Sequence, residues 1–231
     1  VRSPESAQQL YEGLCRICVE TGQARLASVV LFDGEQFERV AVHGPADQLM
    51  PGVPQRWRPD SPFAQASMSS EAVRSGAHVL SNHVLSDPRM ALGRAGVIPP
   101  GVEAMAAFPL QRAGRVVGAL SLLAGQRDFF DPALVQLLNE MVGDVSFALD
   151  NLDRELARRQ ALAQAEAGLA LFRRLFNTSS VSVIVTARAD GRVIEINEVM
   201  CRRYGYPREE LIGRRLAEMN IGLYPADRER F

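Results

Sequence analysis

Lysine is absent: all 26 basic residues of this 231-residue chain are arginine, so lysine-dependent chemistry is excluded. Cysteine is nearly absent too. Three thiols with no disulfide framework fit a reducing compartment. The three histidines, His43, His78 and His83, show no metal-ligand spacing. Neither charge sign dominates, the net charge being −1, and no basic tract exists, which argues against a nucleic-acid partner. No apolar run reaches the roughly 18 residues that span a bilayer, and the N-terminus lacks a charged-then-apolar leader. The expectation is a protein without membrane insertion, located in the cytoplasm.

What is present is dominated by one feature. Between Asp131 and Phe176 the chain reads as a nearly unbroken helix, on the order of 65 Å long at about 1.5 Å per residue. Asp131-Pro132 opens it with a capping residue and a proline at the first helical position. Apolar residues recur at Val145, Leu149, Leu152 and Leu156 with steps of four, three and four. That spacing predicts a seam for a parallel homodimer; the alternative is a helix that packs only on its own domains. Past Leu156 the spacing slips to threes through Arg159, then resumes through Leu162, Ala165, Leu169, Phe172 and Phe176, a pattern that overwinds a coiled coil locally.

Before the helix the pattern is mixed. Ser3-Pro4-Glu5 predicts a helix start, with Leu10, Leu14, Ile17 and Cys18 as its apolar stripe. Residues 27–32 and 37–42 flank Asp33-Gly34, a hairpin signal. Residues 44–66, rich in proline and glycine, read as loop and hold the single tryptophan, Trp57. A short helix near 69–75 ends at Gly76, and a short strand follows at 78–80. Residues 82–101 read as irregular. A second hairpin joins 106–110 to 116–123 across Arg112-Ala113-Gly114. After the long helix, 181–186 and 192–196 form a third hairpin around Asp190-Gly191. Asn197 then caps a helix to Tyr204, and 207–212 gives another helical turn closed by Gly213. Helix, hairpin, short helices, hairpin, helix is an α+β order with an antiparallel sheet. The second unit, a two-stranded sheet with small helices, reads as truncated.

This order and several strings resemble two families. The GAF resemblance rests on Val79-Leu80-Ser81-Asn82-His83 leading to Asp87-Pro88-Arg89-Met90, and on Ala107-Phe108-Pro109-Leu110 followed by Gly114-Arg115-Val116-Val117-Gly118. It is completed by Phe129-Phe130-Asp131 and the exit Asp144-Val145-Ser146-Phe147-Ala148-Leu149. The PAS resemblance rests on Leu175-Phe176, Asp190-Gly191, Asn197, Tyr204-Gly205-Tyr206 and Glu209-Glu210-Leu211-Ile212-Gly213. The resemblance implies a GAF domain over 1–150, a helical linker over 151–171 and the first part of a PAS domain over 172–231.

A GAF domain implies a ligand pocket on one sheet face. Carried onto this sequence, its roof holds Trp57, Phe63, Asn82, His83, Asp87 and Arg89, and its floor Met105, Phe108 and Leu110. Arginine is a fork donor suited to anions, so an anionic or amphipathic effector is implied. Each polar candidate also has a structural role open to it. Asp87 before Pro88 has the pattern of a helix cap, Asn82 can tie a loop, and Arg89 can pair with a local acid.

Catalytic readings find little support. The Asn-Lys-Phe-Asp-Glu set of cyclic-nucleotide GAF domains needs a lysine. No cysteine lies between Val19 and Met200 to carry a bilin. Free methionine sulfoxide reductases use thiols on pocket loops, whereas Cys15 and Cys18 sit on a helical apolar stripe, where cysteine behaves as a small hydrophobe. No cofactor is identified. The resemblance implies a sensory region of a bacterial signalling protein: a small-molecule effector, a homodimer through the long helix, and an output domain beyond residue 231. The GAF subtype points to a GGDEF or EAL output acting on cyclic-di-GMP. A histidine kinase or transcriptional activator is the alternative.

Overall fold

The computed structural model describes residues 5–50, 52–90 and 98–215. The chain divides into two compact units, with the boundary after Leu156. The Ser3-Pro4 helix start predicted from sequence lies outside the described residues, as do 91–97 and 216–231.

The first unit begins with α1 (Glu5–Glu20), β1 (Leu26–Phe32) and β2 (Phe37–His43). Asp33 makes the connecting turn, its Oδ1 accepting from the Glu35 and Gln36 amides at 2.9 and 2.8 Å. The segment expected as loop carries α2 (Ala46–Leu49), β3 (Arg56–Trp57) and α3 (Pro62–Ala66). These elements are short enough for proline and glycine to mask them: Pro45 precedes α2, and Pro62 occupies the first position of α3 behind Ser61. Then come α4 (Met68–Ser75), closed by left-handed Gly76, and β4 (Val79–Ser81). The main hairpin is β5 (Ala104–Arg112) and β6 (Arg115–Ala124). Its two turn residues, Ala113 and Gly114, both have positive φ, +51° and +71°, the geometry that matches strand twist.

These strands form one six-stranded sheet, ordered β3-β2-β1-β6-β5-β4 and antiparallel throughout. Its two faces are chemically distinct because side chains alternate along each strand. One face, through Ala27, Val29, Ala106, Phe108 and Leu120, packs on α1 and on the long helix. The other, through Leu26, Ala107, Ala119 and Leu123, packs on α4. The stripe of α1 differs from the sequence expectation. Tyr11, Leu14, Cys15 and Cys18 are buried, whereas Ile17 is 49% exposed. Ile17 sits at the edge of the arc that a helix of about 3.6 residues per turn presents to one surface.

The long helix, α5 (Pro132–Thr178), runs 47 residues. Asp131 caps it, Oδ1 accepting from the Leu134 amide at 2.7 Å. Asn82 fixes the approach: its amide donates to the Phe130 carbonyl at 3.1 Å, and its Oδ1 accepts from the Phe130 amide at 3.0 Å. Within the first unit, the tip of the β5–β6 hairpin grips α5. The Gln111 amide donates to Ser146 Oγ at 3.0 Å, the Ala113 amide to Asp150 Oδ1 at 2.7 Å, and the Arg112 guanidinium pairs with Asp153 through two donors.

The second unit contains the end of α5, then β7 (Ile184–Thr186), β8 (Val193–Ile196), α6 (Glu198–Tyr204) and α7 (Arg208–Leu211). Val193, Ile196, Met200 and Leu211 form its small core. Asn197, fully buried, organises it. Its Oδ1 accepts from the Val183 and Met200 amides, and its Nδ2 donates to the Phe176 and Val181 carbonyls, all at 2.8–3.0 Å. This explains why β7 begins at Ile184 and not at Val181 as expected. The Val181 carbonyl and the Val183 amide are bonded to the Asn197 side chain, so neither is available to a ladder.

Candidate functional site

A cavity of about 80 Å³ lies on the α4 side of the sheet. Its floor comes from alternate residues of neighbouring strands. Ser28 on β1 stands directly opposite Ser121 on β6, and Val30 stands opposite Arg39 on β2. Ser121 Oγ lies 2.5 Å from Ser69 Oγ of α4, a hydroxyl pair that pins the helix to the sheet. Met105 of β5 extends the floor, and the walls and roof are mostly apolar, among them Leu49, Met50, Phe63 and Met68.

Trp57 closes one end for reasons visible in the pairing. It lies opposite Phe37 in the β2–β3 register and stacks on it with ring centroids 5.6 Å apart. Phe63 packs edge-on against Trp57 at 5.0 Å, and the indole Nε1 donates to Ser70 Oγ at 3.2 Å. The aromatic wall is therefore held by a cross-strand stack, an edge contact and one hydrogen bond.

Of the residues assigned to the pocket from sequence, Trp57, Phe63 and Met105 line this cavity. Phe108 and Leu110 do not; both are buried in the opposite core with α1. They lie three and five residues from Met105, and an odd separation along a strand reverses the face. Asn82, His83, Asp87 and Arg89 also lie away from it, because the chain has passed the edge strand β4 by then. Asn82 binds Phe130, as described. His83 Nε2 is 3.0 Å from Asp128 Oδ1. Asp87 accepts from the Arg89 amide at 2.9 Å and from its guanidinium at 2.7 Å, and that guanidinium also reaches the Leu80 carbonyl at 2.9 Å. The Arg89 guanidinium, first among the causes, holds the Asp87 carboxyl well below the usual carboxylate range. These four residues fasten the loop after β4.

Arg39 lines the cavity, and the sequence reading passed over it. A signal existed, since strand alternation puts residue 39 on the same face as Phe37. The β-bulge that shifts the β1–β2 register between Val29 and Val30 hides how that face continues.

The thiols are elsewhere. Cys15 and Cys18 are buried against the sheet's other face. Burial pushes the Cys15 thiol up to about 12 and the Cys18 thiol up to about 11, so neither is a nucleophile near neutrality. Among the described residues no group of three or more His, Cys, Asp or Glu could hold a metal ion, and no helix is long and apolar enough to cross a membrane.

The expected dimer seam is also redistributed. Leu149 is 0% exposed and Val145 packs beside it, both in the first unit's own core. Seam spacing specifies an apolar stripe but not what covers it, and here the domain itself covers those two positions. Leu152 is half-buried, and Leu156 is 38% exposed. The uncovered apolar residues continue at Leu162, Leu169 and Phe172.

Comparison with known proteins agrees with this architecture. A family model for the GAF domain matches residues 4–150 and one for a PAS domain matches residues 170–231. No curated protein matches the chain. Among solved structures, the blue-light absorbing form of the PixJ GAF domain from Thermosynechococcus elongatus is 17% identical. It superposes with a TM-score of 0.57, covering 69% of this chain and 94% of that one. The type II free methionine-R-sulfoxide reductase of Thermoplasma acidophilum is 13% identical with a TM-score of 0.52, covering 64% and 94%. The free methionine-R-sulfoxide reductase of Neisseria meningitidis, solved with its substrate, is 17% identical with a TM-score of 0.51, covering 67% and 81%. At these identities the likeness concerns the fold.

Proposed function

We propose, for a chain that belongs to the GAF-domain family and continues into a PAS-like domain, the role of sensory and regulatory region in a bacterial signal-transduction protein. One observation carries the reading. The strands that floor the cavity with Met105 and Ser121 are those whose hairpin tip is bonded to α5 at Ser146, Asp150 and Asp153. A small-molecule effector that shifts the floor would therefore pull on the exit helix. Residues 151–171 act as the connecting helix between a GAF domain over 1–150 and PAS residues from 172. Two copies pair along the exposed stretch from Leu156 to Phe172, which leaves Val145 and Leu149 inside each GAF domain. The protein works in the cytoplasm, and these residues make and break no bonds. Downstream of residue 231 the reading places a GGDEF or EAL domain that makes or hydrolyses cyclic-di-GMP.

The test is to assay cyclic-di-GMP synthesis and hydrolysis in the protein that contains this region, comparing wild type with a seven-residue deletion and a four-residue insertion after Arg158. A heptad deletion that preserves regulation, together with an insertion that inverts or abolishes it, supports the relay. Equal behaviour of both variants removes it. Autophosphorylation on histidine or promoter activation, without nucleotide turnover, replaces the output assignment with the kinase or activator.

A further inference from the structure

Arg39 is the only charged side chain lining the cavity among the described residues. Its surroundings are unusual for a guanidinium. Among the described residues its sole side-chain hydrogen-bond partner is Met50 Sδ at 3.8 Å, a weak acceptor. The adjacent acid, Glu38, points to the other side of the strand and is engaged by Arg56 at 2.7 Å. Partial burial without a carboxylate makes Arg39 easier to deprotonate than a solvated arginine. Five N–H donors at the wall of a largely apolar cavity, with a sulfur as their only partner among the described residues, form a recognition surface for an anion.

The floor beside Arg39 supplies a polar strip. Ser28 lies two residues from Val30 on the same face, and Ser121 lies opposite Ser28. Ser121 is engaged by Ser69. The Ser28 hydroxyl has no hydrogen bond to the protein among the described residues. Everything else facing the space is hydrocarbon, aromatic or thioether, apart from the Ser67 hydroxyl, which caps α4.

We infer that the cavity is a receptor site for a small organic carboxylate, gripped by Arg39 and Ser28, with a compact apolar body lying between Trp57, Met68 and Met105. The assignment rests on the effector reading above and narrows it. Two observations select this class among anions. One positive charge balances a monoanion, whereas a phosphate dianion needs a second cation, which the described residues of the lining do not provide. The volume of about 80 Å³ is roughly half that of a cavity holding benzene, about 150 Å³, so the body has only a few carbons.

The experiment uses the whole 231-residue chain at pH 7 and fixed ionic strength. Propionate, isobutyrate, isovalerate and benzoate are titrated beside their primary amides, with inorganic phosphate as a further arm. The readouts are calorimetry and the backbone amide resonances of Ser28, Arg39 and Ser121. The expected result is saturable binding of at least one acid, with its amide at least tenfold weaker. Arg39→Gln should weaken the acid at least tenfold and leave the amide unchanged. Arg39→Lys keeps the charge without the fork and is expected to fall between, which guards against misreading a folding defect. Acid and amide binding equally, indifference to Arg39→Gln, or binding of phosphate alone overturns the carboxylate assignment while the effector cavity stands. If no acid, amide or phosphate moves the Ser28 and Ser121 resonances, the effector cavity is overturned as well.

Discussion

The Ala113 amide donates to the Asp150 carboxylate at 2.7 Å, from a residue held at φ +51°. A left-handed alanine costs about 1 kcal/mol that glycine avoids, and here it presents its N–H to the long helix. Ala113→Gly is expected to stabilise the first unit by up to about 1 kcal/mol. Asp150→Ala is expected to cost about 1 kcal/mol and to speed hydrogen exchange at residues 111–114. Unchanged exchange at the hairpin tip in Asp150→Ala would remove the grip from the mechanism.

Asn197→Ala removes a fully buried amide that serves four backbone groups, two of which, the Val183 amide and the Phe176 carbonyl, have no other partner among the described residues. Each such orphan costs about 1–3 kcal/mol, far more than a core of four buried side chains can absorb. Limited proteolysis should cut the second unit at once, while the circular dichroism of the first unit survives.

The buried thiols set an alkaline limit. Their folded pKa values, about 12 and about 11, lie above the unfolded value near 8.5. The folded state thus keeps protons that the unfolded state releases. Their contribution is fully present below about pH 8.5 and is lost as pH rises towards the folded values, by up to about 1.4 kcal/mol per thiol per pH unit. Cys15→Ala with Cys18→Ala should flatten the decline in denaturation midpoint between pH 8.5 and 10. A thiol reagent should label neither residue in native protein at pH 7, and rapid native labelling would contradict the burial.

Charge on α5 should act differently by position. Leu149→Glu places a carboxylate in a site with no exposure and should unfold the first unit, at a cost of several kcal/mol. Leu162→Glu with Leu169→Glu, at residues 62% and 50% exposed, should leave both units folded and give a monomer by sedimentation. Unchanged mass in the double variant would take the homodimer out of the proposal.

Elements whose chemistry is local could be read from sequence. Asp33-Gly34 and the Ala113-Gly114 pair announce hairpins because few residues tolerate those dihedrals. Asp131-Pro132 and Asn197 announce helix starts because a side-chain oxygen meets a free amide. Parity along β5 was legible in principle, since Met105 and Phe108 cannot share a face. What resisted reading was tertiary. The same four-three spacing serves a partner helix or the domain's own core, and Leu149 belongs to the second. Arg89 attracted attention as an anion binder, yet Asp87 two residues away satisfies it. Arg39 belongs to no motif, and no acid shares its lining among the described residues.

The main sheet is a single polypeptide layer with the cavity and α4 on one side and α1 and α5 on the other. Met105 looks into the cavity, and its neighbours Ala104 and Ala106 touch the helical side. Those alanines offer no long side chain to absorb a displacement. Whatever occupies the cavity is therefore one backbone's thickness from α1 and α5, and a substitution in the floor that enlarges the chamber is simultaneously a substitution in the layer on which those two helices rest.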